Sequence, residues 1–270
     1  MAPDKTPSWN QSKNCALNYD IRRGIPPMPS VSCKDCPLRK LDIFTPFSSD
    51  EVKFMQVFKT GELKVDPGTT ILMEGSNSPQ LYTVLSGLGT RYTTLENGRR
   101  QVINFLFPGD FTGLQAGLMG EMKHSVDATT EMTLCVFRRE DLWTLYRQFP
   151  ERAYDLTWIA AVEEHFLGET IASLGQRDAT QRIAWAFVRI RERLVAAGLS
   201  KGNAVPLPYR QQDLADALGL SLVHTNKTLN SLRSAGLATW RDGQLTIDNL
   251  ASLAEIALID PERPQIRPLM

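Results

Sequence analysis

The sequence predicts an α+β chain in three successive parts: a β domain, a long helix, and a helix-turn-helix followed by a small hairpin. Three observations predict it. Between Gly61 and Phe137, short β-branched and aromatic runs alternate with Gly, Pro and Asn. From Pro150 onward, apolar residues recur at three- and four-residue steps. Towards the C-terminus, two short helical patterns meet across Gly219 and lead into Asp242-Gly243. A chain of 270 residues accommodates two domains of ~100–200 residues each.

Composition narrows the function classes. Hydrophobic residues make up 42% and charged residues 22%, which supports a packed core and excludes wholesale disorder. Lys+Arg and Asp+Glu both number 30. A polybasic, histone-like protein is therefore excluded, while a local basic patch is not. No apolar run reaches the ~18 residues of a spanning helix, so no membrane partner is expected. The polar start MAPDKTPSWNQSKN has no apolar h-region of a secretory signal. Four cysteines are too few for a disulfide scaffold, and a reducing cytoplasm is the expected compartment.

Residues 1–43 are Pro- and Lys-rich and weakly periodic, an extended arm interrupted by Cys33-Lys34-Asp35-Cys36. Residues 44–147 form the β domain. It opens on a short helix from Ser49 to Phe58, with Ser49 as cap and Val52, Met55 and Phe58 at helical spacing. Its strand runs are Thr70–Leu72, Leu81–Leu85, Arg91–Thr94, Gln101–Phe105 and Thr133–Phe137. Pro67-Gly68, Asn97-Gly98 and Pro108-Gly109 separate them, and Asn97-Gly98 reads as a two-residue type I′ hairpin turn. Many short strands at regular spacing indicate a closed or sandwiched sheet.

Leu142, Trp143 and Tyr146 open the helical part. Residues 148–177 form the long helix, with a stripe of Leu156, Ile159, Phe166, Ile171 and Leu174. That stripe needs a partner, either the β domain or a second copy of the helix. Gly168 and Gly175 each weaken it by ~1 kcal/mol relative to Ala, and Gly175 marks a hinge. In residues 178–262, a helix from Asp213 ends at Gly219. Ser221 caps the next one, Leu222 to Ser234, which stops before Gly236. Two strands around Asp242-Gly243 complete a winged helix-turn-helix.

The order of these parts, with particular motifs, resembles the Crp/Fnr superfamily of bacterial transcription regulators. The matching residues are Gly68, Gly75, Leu81 through Gly87, Gly98 through Gln101 and Phe107-Pro108-Gly109-Asp110. The C-terminal match is Gln212 through Ser221, Thr228-Leu229 and Leu232, so the resemblance covers residues 44–250. It implies a cyclic-nucleotide-binding-like β-roll that senses a signal, a helix that pairs two copies into a homodimer, and a second HTH helix that enters the DNA major groove. The DNA partner would be a two-fold operator with half-sites ~34–36 Å apart. Activation would require contact with RNA polymerase.

The candidate DNA-reading residues are Ser221, Leu222, Val223, His224, Thr225, Asn226 and Lys227. Lys227 can donate to guanine O6/N7 or hold a phosphate, and Asn226 can pair with adenine. Ser221 and Thr225 suit phosphate or sugar contacts. Many members of the superfamily carry Glu where Val223 stands and Arg where Lys227 stands. Val touches a thymine methyl but cannot accept from cytosine, so a half-site unlike the commonest ones is expected.

Cys33, Cys36 and Cys135 resemble the cluster-binding cysteines of the oxygen-sensing Fnr branch. That branch has a further Cys six positions after the pair, where this chain has Asp42. Three thiolates suffice for three irons of an iron–sulfur cluster, of the 4Fe–4S or 3Fe–4S kind. Asp42, Cys15, water or nothing would take the fourth corner. Other readings stay open at this point: Cys135 as an ordinary buried cysteine, and the pair as a thiol switch or half a zinc site.

The superfamily's cyclic-AMP binders carry a Glu and an Arg-Ser pair in a stretch that here reads Gly113 through Leu118 with His124-Ser125. Without that Arg a buried phosphate lacks its charge-assisted bonds, and cyclic AMP is not expected. Gln115 and His124 remain as candidates to line a pocket for another small ligand. Nor is an enzyme expected: there is no P-loop, G-x-S-x-G or H-E-x-x-H, and the three histidines, His124, His165 and His224, are far apart. The expectation is a cytoplasmic, homodimeric DNA-binding regulator that senses oxygen, redox state or nitric oxide through the cluster. The alternative is the same regulator without a cluster, responding to another small ligand or to thiol oxidation.

Overall fold

In the computed structural model, which describes residues 30–261 and 265–270, two short 3-10 turns (Cys33–Asp35 and Leu38–Lys40) lead into helix α1, Ser49–Phe58. Its cap is Ser48 rather than Ser49. The Ser48 hydroxyl accepts from the Glu51 amide, and the Glu51 carboxylate accepts from the Ser48 amide. A cap at Ser49 would place Val52 at the third position, and Val has no group to return the bond.

Eight strands follow: β1 Lys59–Val65, β2 Thr70–Leu72, β3 Gln80–Ser86, β4 Gly89–Thr94, β5 Arg100–Leu106, β6 Phe111–Thr112, β7 Ser125–Ala128 and β8 Met132–Arg138. Helix α2, Leu114–Met119, lies between β6 and β7. The strands make two antiparallel sheets, ordered β1-β8-β3-β6 and β2-β7-β4-β5. Leu72, Leu106 and Val126 of one sheet meet Tyr82, Val84, Leu134 and Val136 of the other in a shared core. Alternation then sends Leu81, Leu85, Cys135 and Phe137 to the outer face of their sheet. That face is not wet, because α1 and later helices cover it. Hence Leu81 through Leu85 is an unbroken buried run.

Asn97-Gly98 does join β4 to β5, but not as a two-residue turn. Among these residues only Gly98 has positive φ, and the connection runs from Leu95 to Arg99. The type I′ geometry appears instead at Asp242-Gly243, with φ of 51° and 70°.

Helices α3 (Leu142–Gln148) and α4 (Pro150–Gln176) follow, with Pro150 in the first turn of α4. Helix α4 runs unbroken through Gly168. The break comes at Arg177, after which Asp178 and Gln181 form the capping box of α5, Ala179–Ala196. Strand β9 (Ala204–Pro206), α6 (Gln211–Leu218), α7 (Leu222–Ser234), β10 (Ala238–Arg241), β11 (Gln244–Ile247) and α8 (Leu250–Ile256) complete the winged part. Its sheet has the order β10-β11-β9, one strand more than the wing expected from sequence.

The stripe on α4 needs correction. Leu156 and Ile159 pack within their own chain, against α1 and the outer face of β3 and β8, and are only 2% and 6% exposed. They offer no surface to a second copy. Phe166 stacks on Trp185 of α5, and Leu174 is half-buried. Ile171 alone of the five is open to solvent. A different face of α4 is exposed: Tyr154, Ala161, Gly168 and Gly175 recur every seven residues.

Residues 265–270 return to the β domain. Arg267 pairs in parallel with Phe44, its amide donating to the Ile43 carbonyl (2.8 Å) and its carbonyl accepting from the Thr45 amide (2.9 Å). Leu269 and Met270 are buried in the same cluster as Cys135. Asp110, also buried, binds Arg193 of α5 at 2.6 Å and Arg267 at 3.2 Å. Burial alone would raise its pKa, but the two guanidiniums and the Phe107 amide outweigh that and hold it below the usual carboxylate value.

Candidate DNA-reading helix and cysteine pocket

Helices α6 and α7 are set by two local devices. Gly219 ends α6 in the left-handed region (φ 63°), and the Ser221 hydroxyl accepts from the His224 amide to start α7. Buried Asp213 fixes the base of the motif through Arg210 (2.8 Å) and Arg100 of β5 (3.5 Å). Leu222, Val223, His224 and Lys227 project into solvent, with Val223 80% exposed. No acidic residue stands in the first turn, so the positive end of the helix is uncompensated, as a phosphate contact requires.

Thr225 does not belong to this surface. It is fully buried and, with Thr228 and Leu232, forms the inward face of α7, so it cannot reach phosphate or sugar. Asn226 is half-buried, with its Oδ1 enclosed and unpaired. The outward face continues beyond the expected stretch. Val223, Lys227, Asn230 and Ser234 lie at successive four-, three- and four-residue steps and are all exposed. That spacing was the signal for Asn230 and Ser234.

The second site gathers three thiols from remote segments. Cys135 on β8 stands opposite Glu62 of β1 and Thr83 of β3. Cys33 and Cys36 are half-buried and pack against the same apolar cluster as Cys135. The arm is pinned at Cys33, whose amide donates to Gln56 Oε1 (2.7 Å) and whose carbonyl accepts from Arg39 (2.8 Å). Beside them lies a buried ion pair, Lys59 Nζ to Glu62 Oε1 at 2.6 Å. Burial pushes the Cys135 thiol up to about 12, against the pull of Lys59, and it also raises Cys33.

Thiols so protonated are poor nucleophiles, yet a coordinating metal deprotonates them outright. Among the described residues, no three Cys, His, Asp or Glu side chains stand at single-ion spacing. Asp42, the candidate for the cluster's fourth corner, is exposed. Cys33, Cys36 and Cys135 are soft donors of the kind that iron–sulfur clusters take, and they meet at one apolar cluster of side chains. Cys15 lies outside the described residues.

Of the two candidate pocket residues, one is engaged in a local hydrogen bond and the other is buried without a partner. Gln115 Oε1 accepts from the Lys123 amide (3.0 Å). His124 is buried with Nε2 unpaired, and burial together with Arg91 lowers its pKa to about 3, so the ring is neutral.

Comparison with known proteins agrees with this architecture. Residues 62–149 match the family model of the cyclic nucleotide-binding domain, and residues 181–256 match that of the Crp-like helix-turn-helix domain. The chain belongs to the Crp/Fnr family. Its relatives include the nitrogen fixation regulation protein FixK of Rhizobium meliloti, 33% identical over 67% of this chain and 79% of that one. FixK of Bradyrhizobium diazoefficiens is 29% identical over 86% of this chain and 91% of that one. The fumarate and nitrate reduction regulatory protein of Escherichia coli is 25% identical over 84% of this chain and 91% of that one. The solved structure of FixK2 from Bradyrhizobium japonicum shares the fold, with a TM-score of 0.66 at 24% identity over 72% of this chain and 96% of that one. As a Crp/Fnr-family chain with the Crp-like HTH, this protein is a DNA-binding transcription regulator. No helix among its described residues is long and apolar enough to cross a membrane.

Proposed function

We propose that this regulator works in the cytoplasm as a homodimer on two-fold operators. It reads oxygen, redox state or nitric oxide through an iron–sulfur cluster held by Cys33, Cys36 and Cys135. One observation carries the sensing half: three thiols from the arm and β8 share one buried apolar cluster beside a buried cation. When bound, such a cluster supplies chemistry that oxidants and nitric oxide attack. The protein's own part is to hold the thiolates, exclude water and keep the arm on the β domain.

The organisation follows: arm 1–43, sensor domain 44–147, dimer helix 148–177, DNA-binding domain 178–262. The exposed heptad of Tyr154, Ala161, Gly168 and Gly175 supports pairing along α4, because small residues let two helices approach closely. The exposed Val223 and Lys227 support base reading. A signal must favour one DNA-binding state over the other to have any effect.

Two measurements test the reading. Anaerobically purified protein should contain iron and acid-labile sulfide and lose its visible absorption in air. Protein with neither refutes the cluster. The half-buried Cys33 and Cys36, two residues apart, support a second reading, a cluster-free thiol switch. It is favoured if iron is absent while air removes two titratable thiols. Selection from random DNA at stated salt should yield a two-fold site unlike the commonest family half-site, and recovery of that common half-site refutes the role given to Val223.

A further inference from the structure

Lys59 and Glu62 are buried where burial of charge is costly, with side chains 4% and 8% exposed. Met55, Phe58 and Phe137 are close by in chain or register, so an apolar pair would suit the surroundings. What the charges touch is the arm. Lys59 Nζ donates to the Val31 carbonyl (2.7 Å), and Glu62 Oε1 accepts from the Val31 amide (2.8 Å). Both backbone groups of one residue are thus satisfied by one ion pair, on the strand at the edge of its sheet. Cys33 follows two residues later, and Glu62 stands opposite Cys135 across the β1–β8 ladder.

We infer that Lys59 and Glu62 are positioning residues for the cysteines: as one buried pair they clamp the arm at Val31 onto β1 and so hold Cys33 and Cys36 against the cluster that contains Cys135. The inference rests on reading these cysteines as the sensing groups, but its test requires no cluster. Cys135, buried, reports the clamp.

The experiment follows alkylation of each cysteine by iodoacetamide in the full-length, reduced, metal-free protein at one fixed pH, read by peptide mass spectrometry. Lys59→Arg keeps a cation for the Val31 carbonyl and should keep Cys135 protected, and exposure of Cys135 in that variant overturns the inference. The double variant K59M/E62L removes both charges and is expected to fold even where a single variant does not. There the freed arm should expose Cys135 to alkylation, and continued protection of Cys135 overturns the clamp. Absence of iron and sulfide from the anaerobic protein would sink the cluster reading and leave these outcomes untouched.

Discussion

Helix α7 carries its outward side chains on one continuous stretch, started by one serine cap and preceded by one left-handed glycine. The cysteine pocket instead draws Cys33 and Cys36 from the arm, Lys59 and Glu62 from β1, and Cys135 from β8. The tip of α7 contributes little to the core, so its chemistry can change without changing the fold. The pocket shares its apolar wall with α1, α3, α4 and the C-terminal tail, so its chemistry and its packing cannot be separated. Substitutions in the buried assembly should therefore appear first as lost stability, and those on α7 as lost DNA affinity.

The largest effect should come from Asp110, the carboxylate that ties α5 and the tail to the β domain. Asp110→Ala leaves Arg193 and Arg267 without their shared partner and should cost about 3–5 kcal/mol in urea unfolding. A negligible loss would show the assembly to be more modular than its contacts imply.

His124 gives the next effect, through pH. Its pKa when folded is about 3, below the ordinary histidine value of 6.5. The unfolded chain therefore binds the extra proton, and stability is lost as pH falls from the unfolded value towards the folded one. Between neutrality and about pH 4.5 the loss should be roughly 2–3 kcal/mol. It is isolated by comparing unfolding of wild type and His124→Gln across that range, and an identical pH profile in the variant would contradict it.

On α7 the effects should be smaller and of another kind. Lys227→Ala should weaken operator binding by about 1–3 kcal/mol in gel shifts, with the unfolding midpoint unchanged. A stability change of similar size would blur the contrast between the two regions. Thr225→Val should do least. It replaces a buried, unpaired hydroxyl, so stability should change by under about 1 kcal/mol and DNA affinity should hold. A clear loss of affinity would return Thr225 to the DNA-facing surface.

Much of this organisation was legible because its signals are local. Gly219, Ser221, Gly236 and Asp242-Gly243 mark their turns by backbone chemistry alone, and the β-branched runs mark five strands. β1 was not legible, because Lys59, Glu62 and Lys64 make it read as a polar loop. Only the arm lying against it explains two charges on the buried side. Thr225 was misplaced because a threonine reads as polar wherever it stands. Its spacing to Thr228 and Leu232, three and then four residues, is that of an inward face. Leu156 and Ile159 show the converse limit: an apolar stripe announces that it will be covered, but not by what.

The return of the last residues bears on how the protein should be handled. Thr83, deep in the β domain, donates to the Met270 carbonyl, and Leu269 and Met270 fill space beside Cys135. A charged residue substituted for Leu269 would have to be accommodated in that niche, and Leu269→Ala would leave part of it vacant. A fragment cut at residue 147 would likewise lack part of its own wall, because the sensor's outer face is finished by side chains more than a hundred residues away.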